Sequence, residues 1–170
     1  MINAKKNIRY FLYKHTPVIL LFTSILNEID FNNLGLKYFS FNFVYILIFY
    51  YNLKRDGGIG YISIFIAGLF NDVINGIPMG ISSLCYLLLC FFAAYLRNIT
   101  LRPNLIKDWI SFLLSILILN FITFMYLFWF NNYEFDYLNQ TINITFTFLL
   151  YFIFSHLFTI YDNAVIGRLK

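Results

Sequence analysis

Charged residues are scarce in this sequence. Of its 170 residues only 12% are charged, whereas 61% are hydrophobic. A soluble domain of this length needs more charge on its surface, so the composition predicts a polytopic membrane protein. The length allows one compact all-α bundle over residues 1–170 and excludes a separate globular domain of useful size.

Reactive side chains are few as well. The two cysteines, Cys85 and Cys90, lie five residues apart in one apolar run, a spacing that fits neither a shared helix face nor a metal site. The two histidines, His15 and His156, have no carboxylate or cysteine at ligand spacing nearby in the chain. We therefore expect no enzyme activity, no cofactor and no metal ion.

Uncharged runs define six predicted transmembrane helices. The 40 residues at 57–96 hold a single charge and would extend roughly 60 Å as one helix, about twice the thickness of a bilayer core. Pro78, flanked by Gly76 and Gly80, is the place where this segment can fold back as a hairpin. The first helix begins either at the Thr16-Pro17 pair or near Ile8 with a kink at the proline. The predicted helices cover approximately residues 16–33, 38–53, 57–77, 80–96, 109–130 and 138–161.

Basic residues are distributed unequally between the predicted loops. With a cytoplasmic N-terminus, eleven of the twelve lysines and arginines fall on the cytoplasmic side, and Lys37 alone falls outside. The outer loop after the fifth helix carries Glu134 and Asp136 and no base. This asymmetry satisfies the positive-inside rule with both termini cytoplasmic. The net charge of +4 is therefore interpreted as a topology signal and does not indicate binding to nucleic acid.

Asp72 is the one carboxylate inside the body of a predicted span. A charge at that depth is expensive, so its side chain should face the bundle and have a donor partner, or be protonated. Three interpretations remain open: it caps the N–H groups at the start of the fourth helix near Ser82 and Ser83, it contacts a partner helix, or it binds a proton or ligand. Gly68 and Gly76, four residues before and after it, lie on the same broad face and let another helix approach closely.

The same stretch carries a family resemblance. Gly68-Leu69-Phe70-Asn71-Asp72, followed by Gly76-Ile77-Pro78-Met79-Gly80 and an apolar fourth helix, resembles the signature of the rod shape-determining protein MreD family. The likeness extends from about Phe41 to Trp109. It implies that the residues that matter, for partner binding or structure, are Asp72, Gly68, Gly76, Pro78 and Gly80.

The resemblance also implies a function. It would make the chain a non-catalytic scaffold of the bacterial inner membrane, required for rod shape and for side-wall peptidoglycan synthesis. Its partners would be an MreC-like membrane protein, the actin-like MreB, the RodA glycosyltransferase with its transpeptidase, and the lipid bilayer itself.

A second function belongs to a different class. The family is also similar to the substrate-binding subunits of energy-coupling-factor transporters, which are six-helix bundles of comparable size. The alternative function is therefore a small-molecule-binding membrane subunit of such a transporter. A thermal shift on adding vitamins or metal ions would discriminate the two.

Overall fold

The computed structural model describes residue 13 and the ranges 15–25, 41–55, 58–99, 104–131 and 137–166. Within these ranges all regular structure is α-helical, which confirms the all-α prediction, and there are six helices. They are α1 (His15–Ile25), α2 (Phe43–Lys54), α3 (Tyr61–Asn75), α4 (Ile81–Ile99), α5 (Leu105–Asn131) and α6 (Tyr137–Ile166).

Two helix starts differ from the prediction because asparagine side chains cap them. Asn42 is the N-cap of α2, and its Oδ1 accepts a hydrogen bond from the N–H of Tyr45 at 3.1 Å. The helix therefore starts at 43, while the part of the predicted range at 38–40 lies outside the described residues. Likewise Asn104 Oδ1 accepts from the N–H of Ile106 at 3.1 Å, so α5 begins four residues before the predicted 109. An asparagine side chain that takes an unpaired N–H group fixes where a helix begins.

The other boundaries shift by a few residues. α3 is shorter than predicted at both ends, whereas α4 and α6 each extend a few residues further at their carboxyl ends. The described part of the first helix ends at Ile25, and the remainder of its predicted range, 26–33, lies outside the described residues.

Among the residues that the structure describes, three helices are long and apolar enough to cross a membrane. By length and composition these candidate spans are Ile81–Ile99, Leu105–Tyr126 and Leu138–Val165. The described part of α1, together with α2 and α3, is apolar but shorter, with at most 15 residues in each. A chain with three such helices is consistent with a polytopic membrane protein.

α2 forms the centre of the bundle. From Ile46 to Leu53 every one of its residues is buried, so no side of this part of the helix faces outward. α2 packs against α4 and α6, α4 also packs against α3 and α5, and α5 packs against α6. The ring of Phe49 contacts those of Phe112 on α5 and Tyr151 on α6, at centroid distances of 5.1 and 5.8 Å. A helix that is apolar all round is a buried one, and α2 fits that rule.

α1 lies against the bundle through its own buried residues. Leu21 and Ile25 are buried, and the ring of Phe22 meets that of Phe70 on α3 edge to face at 6.2 Å. At its other end the Thr16 hydroxyl lies 3.1 Å from the Tyr161 hydroxyl of α6. α1 therefore contacts both α3 and α6.

Candidate functional site: the α3–α4 hairpin

Gly68 is the point of closest approach between α3 and α4. A Cβ atom at this position would lie 2.5 Å from the backbone N of Ser83 and 2.7 Å from its Oγ. The Ser83 hydroxyl in turn donates to the carbonyl of Phe65 at 3.0 Å, one turn earlier on α3. The predicted close approach is thus made by α4 of the same chain. Small residues allow two backbones to come this near, and a side chain here would force them apart.

Asp72 caps the start of α4. It is fully buried, its Oδ2 accepts from the N–H of Gly80 at 2.7 Å, and its Oδ1 accepts from the N–H of Ser82 at 2.9 Å. The first N–H groups of a helix have no partner within the helix, and the positive end of the helix dipole favours an anion. Of the three interpretations of this acid, the geometry shows the cap on α4.

The backbone carbonyl of Asp72 closes the end of α3. It accepts from the N–H of Gly76 and, at 3.0 Å, from the N–H of Ile77. Gly76 adopts the left-handed conformation with φ +63°, as a glycine that ends a helix commonly does. Asp72 therefore accepts from four backbone N–H groups between the end of α3 and the start of α4, two on its carbonyl and two on its carboxylate.

The turn itself consists of residues 76–80. Gly80 has φ +106°, a backbone conformation that residues with a side chain rarely adopt. Pro78 has no N–H group that would need an acceptor. Among the described residues, apart from each glycine and its two chain neighbours, no atom lies within 4 Å of where a Cβ of Gly76 or Gly80 would be. Gly76 and Gly80 are therefore suited to the backbone path of the turn, whereas Gly68 alone of the hairpin glycines makes a tight helix contact.

Asn71 belongs to the same site, although the sequence analysis did not select it. Its Nδ2 donates to the Ser82 hydroxyl at 3.0 Å, beside the bond from Ser82 N–H to Asp72. The available signal was its position next to the buried acid. Asn71 and Asp72 together hold both the backbone and the side chain of Ser82.

The sequence model of the rod shape-determining protein MreD family matches residues 8–161. The chain belongs to the MreD family. The family is a non-catalytic, shape-determining one, so this chain is a membrane protein with a role in rod cell shape. No curated protein and no solved structure matches the chain, and the similarity to energy-coupling-factor subunits stays a prediction.

A second group of polar side chains in this MreD chain, called the charged cluster below, lies at the end of the bundle away from the α3–α4 turn. Lys54 Nζ lies 2.6 Å from Asp108 Oδ2 on α5, and Arg55 lies 2.5 Å from Asp162 Oδ1 on α6. The Arg97 guanidinium of α4 donates to the carbonyls of Asn52 and Arg55. The cluster therefore ties α4, α5 and α6 to the carboxyl end of α2.

The sequence analysis missed this cluster. It interpreted the bases only as a topology signal and took Asp72 as the one carboxylate within a span. Asp108 and Asp162 are also buried and lie inside α5 and α6, since both helices extend past their predicted ends. The guanidinium of Arg55 additionally lies over the ring of Tyr51, 4.5 Å from its centroid. The pairings join residues 54 and 107 positions apart, and no local pattern encodes them.

Metal-binding residues do not converge in the part of the chain that the structure describes. No group of three or more histidine, cysteine, aspartate or glutamate side chains there is arranged to hold a metal ion. Cys85 and Cys90 are buried and not disulfide-bonded. The Cys85 Sγ lies 3.3 Å from the Thr123 hydroxyl of α5, a contact that joins the hairpin to its neighbour.

Proposed function

We propose that this MreD family member is a scaffold subunit of the bacterial inner-membrane complex that directs side-wall peptidoglycan synthesis. It has six helices in the membrane, with both termini in the cytoplasm. It acts by binding a membrane partner such as MreC, in the same complex as the actin-like MreB and the RodA glycosyltransferase with its transpeptidase. The observation that carries the proposal is the family match over residues 8–161.

The contact between Arg97 and α2 supports the six-helix arrangement with a hairpin at α3–α4. Its guanidinium donates to the carbonyl of Arg55, 42 residues earlier in the chain, at 2.5 Å. The α3–α4 hairpin therefore returns the chain to the end of the bundle from which it left. Basic residues that gather at one end are expected on the cytoplasmic side.

In this proposal Gly68 and Asp72 act by fixing α3 against α4, because both are engaged within the chain. The partner then meets the opposite side of α3. On that side Ile62 and Ile66 are exposed large apolar residues, in the half of α3 nearer the charged cluster. Helices associate within a membrane through packing of such complementary surfaces.

Co-purification tests the proposal. The wild-type chain, expressed with an MreC-like protein and solubilised from membranes in detergent, should retain that partner, and Ile66→Ala should weaken the retention. Leu114→Ala is the matched control, since Leu114 is an equally apolar, exposed residue on α5. Failure of the wild-type chain to retain the partner would contradict the binding function, and equal losses in the two variants would contradict the assignment of the surface.

A further inference from the structure

The α3–α4 hairpin is short when measured from the charged cluster. Arg97 holds α4 to the carbonyls of Asn52 and Arg55, beside the two ion pairs. From Arg97 to the first residue of α4, Ile81, the helix rises 16 residues or about 24 Å, and the 15 residues of α3 rise about 22 Å. A hydrocarbon core is about 30 Å thick. If the charged cluster lies at the cytoplasmic boundary, where ionised groups are tolerated, the hairpin ends before the opposite surface.

The tip of this hairpin has the composition of a segment in contact with lipid. Residues 76–80 contain no charged or hydrogen-bonding side chain, and Met79 is 76% exposed at the end of the turn. The neighbouring Val73 and Ile74 of α3 and Leu84 of α4 are exposed large apolar residues as well. A turn in water is normally built from polar residues, whereas this one presents hydrocarbon outward.

Three of the four backbone N–H groups of residues 76–80 have an acceptor on Asp72, which brings the turn close to the condition for lying in lipid. Inside a bilayer there is no water to satisfy an N–H group, so irregular backbone needs acceptors within the protein. The N–H groups of Gly76 and Ile77 bond to the Asp72 carbonyl, and those of Gly80 and Ser82 bond to its carboxylate. Pro78 contributes no N–H at all. Asp72 thus provides internally most of the hydrogen-bond acceptors that water would provide to an exposed turn.

We infer that residues 76–80 lie within the outer half of the bilayer, covered by lipid chains, and that Asp72 is the internal acceptor that makes this position possible. α5 differs in this respect. From Asp108 to Asn131 it rises 23 residues or about 34 Å, enough to cross the whole core, and Glu134 and Asp136 follow in the sequence. The inference does not depend on which partner the chain binds.

A nitroxide label at position 79 tests where the turn lies. The full chain carrying Met79→Cys is purified, labelled and placed in phosphatidylcholine vesicles, and collisions with oxygen and with a water-soluble nickel chelate are compared. Leu114→Cys, at an exposed apolar position of α5, is the lipid reference, and Glu134→Cys is the aqueous reference. The parent chain, in which Cys85 and Cys90 are buried, measures the background.

We expect the label at 79 to resemble that at 114, with oxygen favoured over nickel. An impermeant maleimide should react at 79 at least about tenfold more slowly than at 134, because a thiol surrounded by hydrocarbon is kept from both water and the reagent. Nickel accessibility and a maleimide rate equal to those at 134 would overturn the inference.

The role of Asp72 is tested in the same labelled chain. Asp72→Asn retains one oxygen acceptor and replaces the other with a donor, so one N–H of the turn loses its partner. Nickel accessibility at 79 should then rise as the turn moves toward water, while Asn75→Ala, an exposed change on the same helix, should leave it unaltered. An unchanged accessibility in Asp72→Asn, with helix content retained in circular dichroism, would refute the role assigned to Asp72.

Discussion

The α3–α4 and α5–α6 hairpins differ in length and in the side chains that join their helices. α3 and α4 have 15 and 19 residues, whereas α5 and α6 have 27 and 30. α3 and α4 are joined through Gly68, where the backbones touch, and through the buried carboxylate of Asp72. The short hairpin therefore depends on individual small and polar residues. When one of them is replaced, no neighbouring residue makes the same contact.

α5 and α6 are joined mainly by aromatic rings. Trp109 stacks on Phe148 at 4.4 Å with planes 2° apart, and Phe112 stacks on Tyr151 at 4.3 Å. Stacked rings contribute through contact area spread along the helices. The comparison shows that a short membrane hairpin needs specific contacts, whereas a long one is held by many replaceable contacts.

The largest effect is expected from Asp72→Ala. The partly buried N–H of Gly80 and the buried N–H of Ser82 would lose their acceptor, and each such loss costs about 1–3 kcal/mol, or about 2–6 kcal/mol together. We expect this decrease in the free energy of unfolding in detergent micelles, and round cells in the native host with membrane insertion retained. Asn75→Ala, an exposed change on the same helix, is the control. Survival of rod shape in Asp72→Ala would contradict the importance of this residue.

Gly68→Ala should have the next largest effect. The added methyl group meets the backbone of Ser83, which cannot rotate away as a side chain would, so we expect a loss of about 1–3 kcal/mol of unfolding free energy. Ser115→Ala in α5 is the comparison, because that hydroxyl bonds only within its own helix, to the Ser111 carbonyl. If the two variants lose equal stability, the close contact at Gly68 is not what holds the short hairpin.

Trp109→Phe tests the long hairpin and should cost less. The indole Nε1 donates to the Phe148 carbonyl at 2.8 Å, and phenylalanine retains the stacking but not this bond. Hydrogen bonds between membrane helices contribute on average about 0.6 kcal/mol, so we expect a loss near that value in the same unfolding titration. A loss as large as that of Asp72→Ala would show that the long hairpin also depends on single polar contacts.

The smallest effect is expected between the hairpins. Thr123→Val removes the hydroxyl that lies 3.3 Å from the Cys85 sulfur, a weak contact between α4 and α5. Because sulfur is a weak hydrogen-bonding partner, the loss of unfolding free energy should be below about 0.5 kcal/mol. A larger loss would mean that the two hairpins are coupled directly through Thr123, in addition to their shared contacts with α2.

Most of the candidate site could be predicted from the sequence because its features are local. A segment too long for one crossing, with Pro78 between two glycines, identifies a turn, and an acid six residues before that proline falls within reach of the next helix start. The structure chose among the three interpretations of Asp72, since that choice depends on the path of residues 76–82. It also showed that Gly68 is shielded by α4 of its own chain.

The sequence by itself determined the class of protein, the number of helices and the family. The lengths of the apolar segments, the distribution of charged residues and a short motif are all local properties of the sequence. Only the tertiary structure decided that α2 lies at the centre and that Arg55 pairs with Asp162. All six predicted helices are apolar, so composition does not distinguish the buried helix from those that face lipid. Residues 107 positions apart become neighbours only when the helices pack, and no local pattern records that distance.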